Sequence, residues 1–200
     1  MFSTVRCSVS ECSNFALSGQ TLCGLHVEDR HASKQGAEQL LDRPGRIFGM
    51  NFANLDFSGF DLSGKIFQNC DFTGCTFSGV EFREATFLLC LFPRATLESC
   101  NFHGSLFQNC LFALSSLRKV SFTNSTIVQV NFNGCRIDEC DFSNSDLMHS
   151  RFIGASIKES LMVDCNLKRT FFVEAIREGV DFKYSNAEDA VFTLNRSESL

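Results

Sequence analysis

The sequence predicts an all-β solenoid in which the chain turns a corner every five residues and closes a square coil in twenty. Three observations carry this. Large apolar residues recur at a spacing of five, small residues recur at the same spacing two positions earlier, and the period never slips over most of the 200 residues. A fixed internal period sets the architecture before local propensities do, so it is read first.

The large phase runs from Phe52 to Phe192. Of its 29 positions, 18 are Phe and nine are Leu, Ile or Met, with Arg177 and Ala187 the exceptions. The chain has 23 Phe in all, and composition bias alone would scatter them over five phases. The small phase reads Cys70, Cys75, Val80, Ala85, Cys90, Ala95, Cys100, Ser105, Cys110 and continues to Ala175. It holds eight of the eleven Cys, and the other three precede residue 24. A period of five fits neither helix nor ordinary strand. A bend at each fifth residue does fit, because it points residues i and i−2 inward and the other three outward. The large side chain fills the axis, the small one sits under the wall, and stacked coils pair at about 4.8 Å. No coil can bury its Phe alone, so only the stack is stable, with a dry, close-packed axis.

Stretches such as Cys70-Asp71-Phe72-Thr73-Gly74, Ala85-Thr86-Phe87 and Ser145-Asp146-Leu147 resemble the A-(D/N)-(L/F)-x-x pattern of pentapeptide-repeat proteins. The resemblance spans residues 48 to 193. It implies a right-handed quadrilateral β-helix of about seven coils. Three segments follow: an N-terminal cap at 1–44, the solenoid at 45–194 and a tail at 195–200. Irregular terminal coils are expected, since Met50, Leu55, Phe60 and Lys65 replace the small residue in the first, while Arg177 and Ala187 replace the large one in the last.

Before the repeat the pattern changes. Cys7-x4-Cys12-x10-Cys23-x2-His26 offers three thiolates and an imidazole, a ligand set suited to tetrahedral zinc. The competing readings are four unrelated residues, or a disulfide with two bystanders. A metal with four protein ligands is structural, folding a segment too small for its own core. Residues 27 to 42 read as a helix anchored by Leu40 and Leu41 and broken at Arg43-Pro44-Gly45. It could cover the open edge of the first coil. The short tail offers no comparable cover, so the C-terminal edge is expected to be adhesive, through dimerisation or because the natural chain continues.

Composition narrows the function. A formal charge of −5, from 18 basic and 23 acidic residues, leaves no basic stripe for nucleic acid. There is no apolar run of spanning length and no apolar signal core after Met1, so a reducing cytoplasm is expected. His26, His31, His103 and His149 have no adjacent nucleophile pattern, and the Asp and Asn preceding central residues suit backbone bonding at corners. A Phe-filled rod leaves no room for a convergent polar pocket, so no enzyme is expected.

Two walls of the coil are polar outside, through residues such as Asp56, Glu98, Arg118 and Asp138 on one and Asp61, Glu81 and Arg83 on the next. The other two share an apolar corner: Leu88, Leu89, Leu91, Leu111, Leu114, Val128, Met148, Ile153, Phe171 and Val173 are all assigned outward there. Contiguous apolar surface marks a partner site. The sequence therefore reads as a non-enzymatic interaction rod that contacts a protein partner or a second copy. The family resemblance implies an alternative, an acidic mimic of DNA that binds gyrase and protects it from inhibitors. That role needs a strongly acidic rod, and residues 45 to 194 carry 17 acidic against 13 basic groups.

Overall fold

The computed structural model describes residues 5–42 and 44–193; the predicted tail at 195–200 lies outside them. The solenoid is a parallel β-solenoid of about seven turns. Its strands are three residues long: β1 (Arg46–Phe48), β2 (Ile66–Gln68), β3 (Thr76–Ser78), β4 (Thr86–Leu88), β5 (Thr96–Glu98) and β6 (Leu106–Gln108). They continue as β7 (Ser116–Arg118), β8 (Thr126–Val128), β9 (Arg136–Asp138), β10 (Ser156–Lys158) and β11 (Ile176–Glu178). One wall is the sheet β1-β2-β4-β6-β8, and a second is β3-β5-β7-β9-β10-β11. Two ladders of single parallel bridges form the other walls, one through Asn51, Asp71, Leu91, Leu111 and Asn131, the other through Asp61, Glu81, Asn101, Ser121 and Asp141. Every pairing joins a residue to the one twenty positions on, as in Ile66↔Thr86 and Thr96↔Ser116.

The axis is aromatic. Eight rings stack in one column from Phe52 through Phe72, Phe92, Phe112, Phe132, Phe152 and Phe172 to Phe192. The tightest pair, Phe92 and Phe112, lies 4.4 Å apart at 2°. Neighbouring columns meet edge-to-face, as Phe107 meets Phe112 at 64°, so each ring satisfies both favoured aromatic geometries. Beneath them the small phase does more than leave space. Ser105, Ser125 and Ser145 each donate a hydroxyl to a central carbonyl of the coil before, at 2.7 Å. Cys75, Cys135 and Cys165 place their sulfurs against equivalent carbonyls at 3.1, 2.9 and 3.0 Å. Where the small residue is Ser or Cys it thus adds a bond to the wall, which Val80, Ala85 and Ala95 in the same phase do without.

The corners depend on a third phase that the composition conceals. Every position two after a central residue, from Gly49 to Tyr184, has positive φ. Nineteen of these are not glycine, and none is Val, Ile, Thr or Pro. β-Branched side chains fit this left-handed region worst, which accounts for their exclusion. Asn124, exposed at φ 57°, makes a direct test. Asn124→Val is expected to lower stability by about 1–3 kcal/mol while Asn124→Gly leaves it nearly unchanged, read as shifts in urea midpoint. Before the central residue, Asp71, Asn101, Asn131 and Asp141 accept the backbone N–H two residues on, the corner bonding anticipated for these short polar side chains.

The N-terminal cap closes the first coil. Helix α1 (Arg30–Leu41) starts three residues later than the sequence suggests, because Val27 N–H is still bonded to Cys23 and Asp29 caps the helix through Ala32 N–H at 2.9 Å. Ala37 and Leu41 join the core, with Leu40 packed against it. Lys65, out of place in the small phase, donates its ammonium to Leu41 O at 2.8 Å and so caps the helix C-terminus. At the other end Arg177 stands 4.5 Å over the Phe192 ring, a cation–π lid where a large apolar residue would otherwise sit.

Candidate metal centre and partner surface

The segment before α1 is a small hairpin followed by a turn. Arg6 and Phe15 pair antiparallel, Cys7 N–H reaches Asn14 O at 3.0 Å, and Cys12 N–H closes on Val9 O at 3.2 Å. The turn opens at Cys23, whose carbonyl accepts from His26 and Val27. These two elements bring Cys7, Cys12, Cys23 and His26 together, with one ligand atom from each within 4.8 Å of the rest. His26 Nδ1 stands 3.4 Å from the sulfurs of Cys7 and of Cys23, and the Cys12 and Cys23 sulfurs are 3.9 Å apart. Tetrahedral zinc, with bonds of about 2.3 Å to sulfur and 2.0 Å to nitrogen, needs edges of about 3.8 and 3.5 Å. The donor set fits.

Burial pushes the Cys7 thiol up, but backbone contacts from Cys23 and Val9, with the His26 and Cys23 side chains, bring it down to about 6. Cys12 moves the other way: its Asn14 backbone bond lowers it, and burial with the Cys23 and Cys7 sulfurs overrides that. Three thiolates crowded beside an imidazole repel one another, which is the electrostatic demand a divalent metal meets.

The cluster is seated rigidly on the solenoid. Asn51, buried, donates to Ala16 O at 2.9 Å, while its backbone N–H reaches Ser18 Oγ at 2.8 Å. Gly24, between ligands Cys23 and His26, lies so close to the first coil that a Cβ would run into the Ala53 carbonyl oxygen. Sequence spacing pointed to these four residues but not to this docking, which depends on a backbone contact no motif records.

The apolar corner is a mixed surface. Leu89 and Leu114 are 49% and 61% exposed. Leu88, Leu91, Leu111, Val128, Met148, Ile153 and Phe171 are half-buried. Val173 departs from the expectation: it is 7% exposed, a short side chain whose counterparts one coil away on either side are Ile153 and Thr193. The sheet β3-β5-β7-β9-β10-β11 carries a ladder of alternating sign, Glu98, Arg118, Asp138, Lys158 and Glu178. In it Arg118 pairs with Glu98, and Lys158 with Glu178 at 2.7 Å; beside it Lys119 meets Glu139 at 3.6 Å.

Family models for "Pentapeptide repeats (8 copies)" match residues 51–87 and 95–134, and one for "Pentapeptide repeat region" matches 115–192. No curated protein matches the chain. Among solved structures, full-length QnrB1, a plasmid-mediated fluoroquinolone resistance protein, aligns at 21% identity and TM-score 0.40 over 70% of this chain and 83% of its own. Rfr23 from the cyanobacterium Cyanothece aligns at 12% and 0.42 over 79% and 98%. HetL from the cyanobacterium Nostoc, involved in heterocyst differentiation regulation, aligns at 10% and 0.36 over 84% and 98%. At these similarities none of the three carries an argument about function. Among the described residues no helix is long and apolar enough to cross a membrane.

Proposed function

The chain belongs to the pentapeptide-repeat family, and from that premise we propose that it is a non-enzymatic protein–protein interaction module. It acts as a rigid rod, capped at its N-terminal end by a structural zinc held by Cys7, Cys12, Cys23 and His26. The observation that carries the reading is the wall of Leu91 and Leu111 with its two corners, one bearing Leu89 and the other Leu114, large side chains left in water on a rod whose axis is otherwise filled. Stacked coils fix such side chains about 4.8 Å apart, so little ordering entropy remains to be lost on docking. The alternating charges along the sheet β3-β5-β7-β9-β10-β11 support this reading over gyrase binding by DNA mimicry, because adjacent opposite signs cancel within a coil or two and leave no phosphate-like track.

Leu89 and Leu114 occupy exposed corners, so Leu89→Ser with Leu114→Ser removes apolar surface without opening the core. Sedimentation over a range of concentrations is expected to show the parent chain associating and the double variant remaining monomeric with unchanged circular dichroism. Equal association of the two proteins contradicts the assignment of this wall.

A further inference from the structure

The corner bearing Leu89 changes character along its length. Two rows flank it. One runs Leu89, Asn109, Gln129, His149, and the other Leu91, Leu111, Asn131, Arg151, the latter joined by successive bridges. The middle coils are therefore apolar, with Asn69 and Asp71 one coil before them, and the later ones are polar and cationic. At the polar end lies a groove of about 350 Å³, lined by Asn109, Gln129, Asn131, His149 and Arg151 and ending at Phe171. Among the described residues, the side chains of Asn109, Gln129, His149 and Arg151 make no hydrogen bond or ion pair, and no carboxylate lines the groove. Asp146, on the adjoining wall, is occupied by Met148 N–H and Asn166. On a chain of charge −5, a concave site with a free guanidinium, an imidazole and three amides is a reversal of sign.

We propose that this groove binds the carboxylates of an acidic segment of the protein partner, with the leucines beside it taking that segment's apolar residues. The inference rests on the interaction-module reading and names what the partner must present. A guanidinium fork accepts a carboxylate through two parallel hydrogen bonds, and the flanking amide N–H groups can take its remaining lone pairs. One arginine suits one or two carboxylates better than a polyphosphate. The apolar continuation through Leu111 and Leu91 selects a peptide over a small anion. Three coil steps separate Leu91 from Arg151 along that row, about 14 Å, which an extended peptide covers in about four residues.

The test uses a fluorescein-labelled peptide, Leu-Leu-Ser-Glu-Glu-Glu, titrated by anisotropy against the full chain. Binding is expected to weaken at least about tenfold in Arg151→Gln, to recover in part in Arg151→Lys, and to weaken comparably when the glutamates become glutamines. Arg151 faces outward on an exposed position, so folding is unaffected, and circular dichroism checks this. Equal binding by the glutamine peptide, or indifference to Arg151→Gln, overturns the proposal. So does inorganic phosphate displacing the peptide at concentrations where acetate does not, since that identifies a phosphate site. Loss of peptide binding with leucine-dependent association intact removes only the groove assignment, whereas indifference of association to Leu89→Ser and Leu114→Ser removes the reading beneath it.

Discussion

Phe112→Ala is expected to destabilise the rod by about 3–5 kcal/mol, the range for deleting a fully buried aromatic ring. Phe112 is 0% exposed, stacks on Phe92 and Phe132, and meets Phe107 edge-on. Its neighbours cannot collapse into the vacancy, because their backbones are held in register by bonds such as Phe112 N–H to Asn131 O at 2.7 Å. The loss is also positional. A solenoid is close to a one-dimensional chain of coupled units, so a defect in the middle weakens the coupling between two half-stacks. Urea unfolding should therefore show a lower midpoint and a shallower slope, the mark of broken cooperativity. Phe182→Ala, in the half-buried last coil, should cost distinctly less and leave the slope alone. Phe112→Leu should cost only about 1 kcal/mol, since Leu already fills the axis at Leu97 and Leu117. Equal costs for the two alanine variants would contradict a continuous, coupled core.

The axis was readable because its rule is exclusionary: a polar residue facing it is intolerable, so the period of five survives in the sequence with few exceptions. Those exceptions were visible as residues but not as functions. Nothing in the one-letter code shows that Lys65 reaches the end of α1 or that Arg177 covers Phe192. The corner phase was equally available, yet it is a rule about what is missing. Asn, Glu, Leu, Arg and Lys share it, and only the absence of β-branched residues unites them. Exposure was the hardest property to read. Outward side chains are stacked at the coil spacing, so whether Val173 or Leu114 meets water depends on the size of the residue twenty positions away. Leu114 lies across Gly134, its Cδ2 only 2.8 Å from where a Cβ would stand, and remains exposed; Val173 has Ile153 and Thr193 as its counterparts one coil away. The Cys and His of the cap were found by elimination, since the repeat accounted for every other cysteine.

Removing the metal gives the second large effect, and it should stop at the cap. Structural zinc in small modules supplies about 10–16 kcal/mol of apparent folding free energy at neutral pH. The purified chain is expected to contain one zinc, and a strong chelator should unfold residues 5–42 while the central coils stay protected from hydrogen exchange, as weakly coupled terminal units do. Alkylation makes the boundary countable. After chelation, three thiols should react, Cys7, Cys12 and Cys23. The eight solenoid cysteines should not, because all are buried; burial also pushes Cys135 and Cys140 up to about 12 and Cys100 and Cys165 up to about 11, leaving at most about one in ten thousand of these four as thiolate at neutral pH. Cys23→Ser should reproduce the chelated state without chelator, because it removes one of the three sulfurs of the donor set while leaving the backbone bonds from His26 and to Cys7 Sγ in place. Three thiols that react equally fast with and without chelator, in a chain carrying no stoichiometric metal, would leave the Cys and His as a hydrogen-bonded cluster and the cap held by Asn51, Leu17 and Leu41 alone.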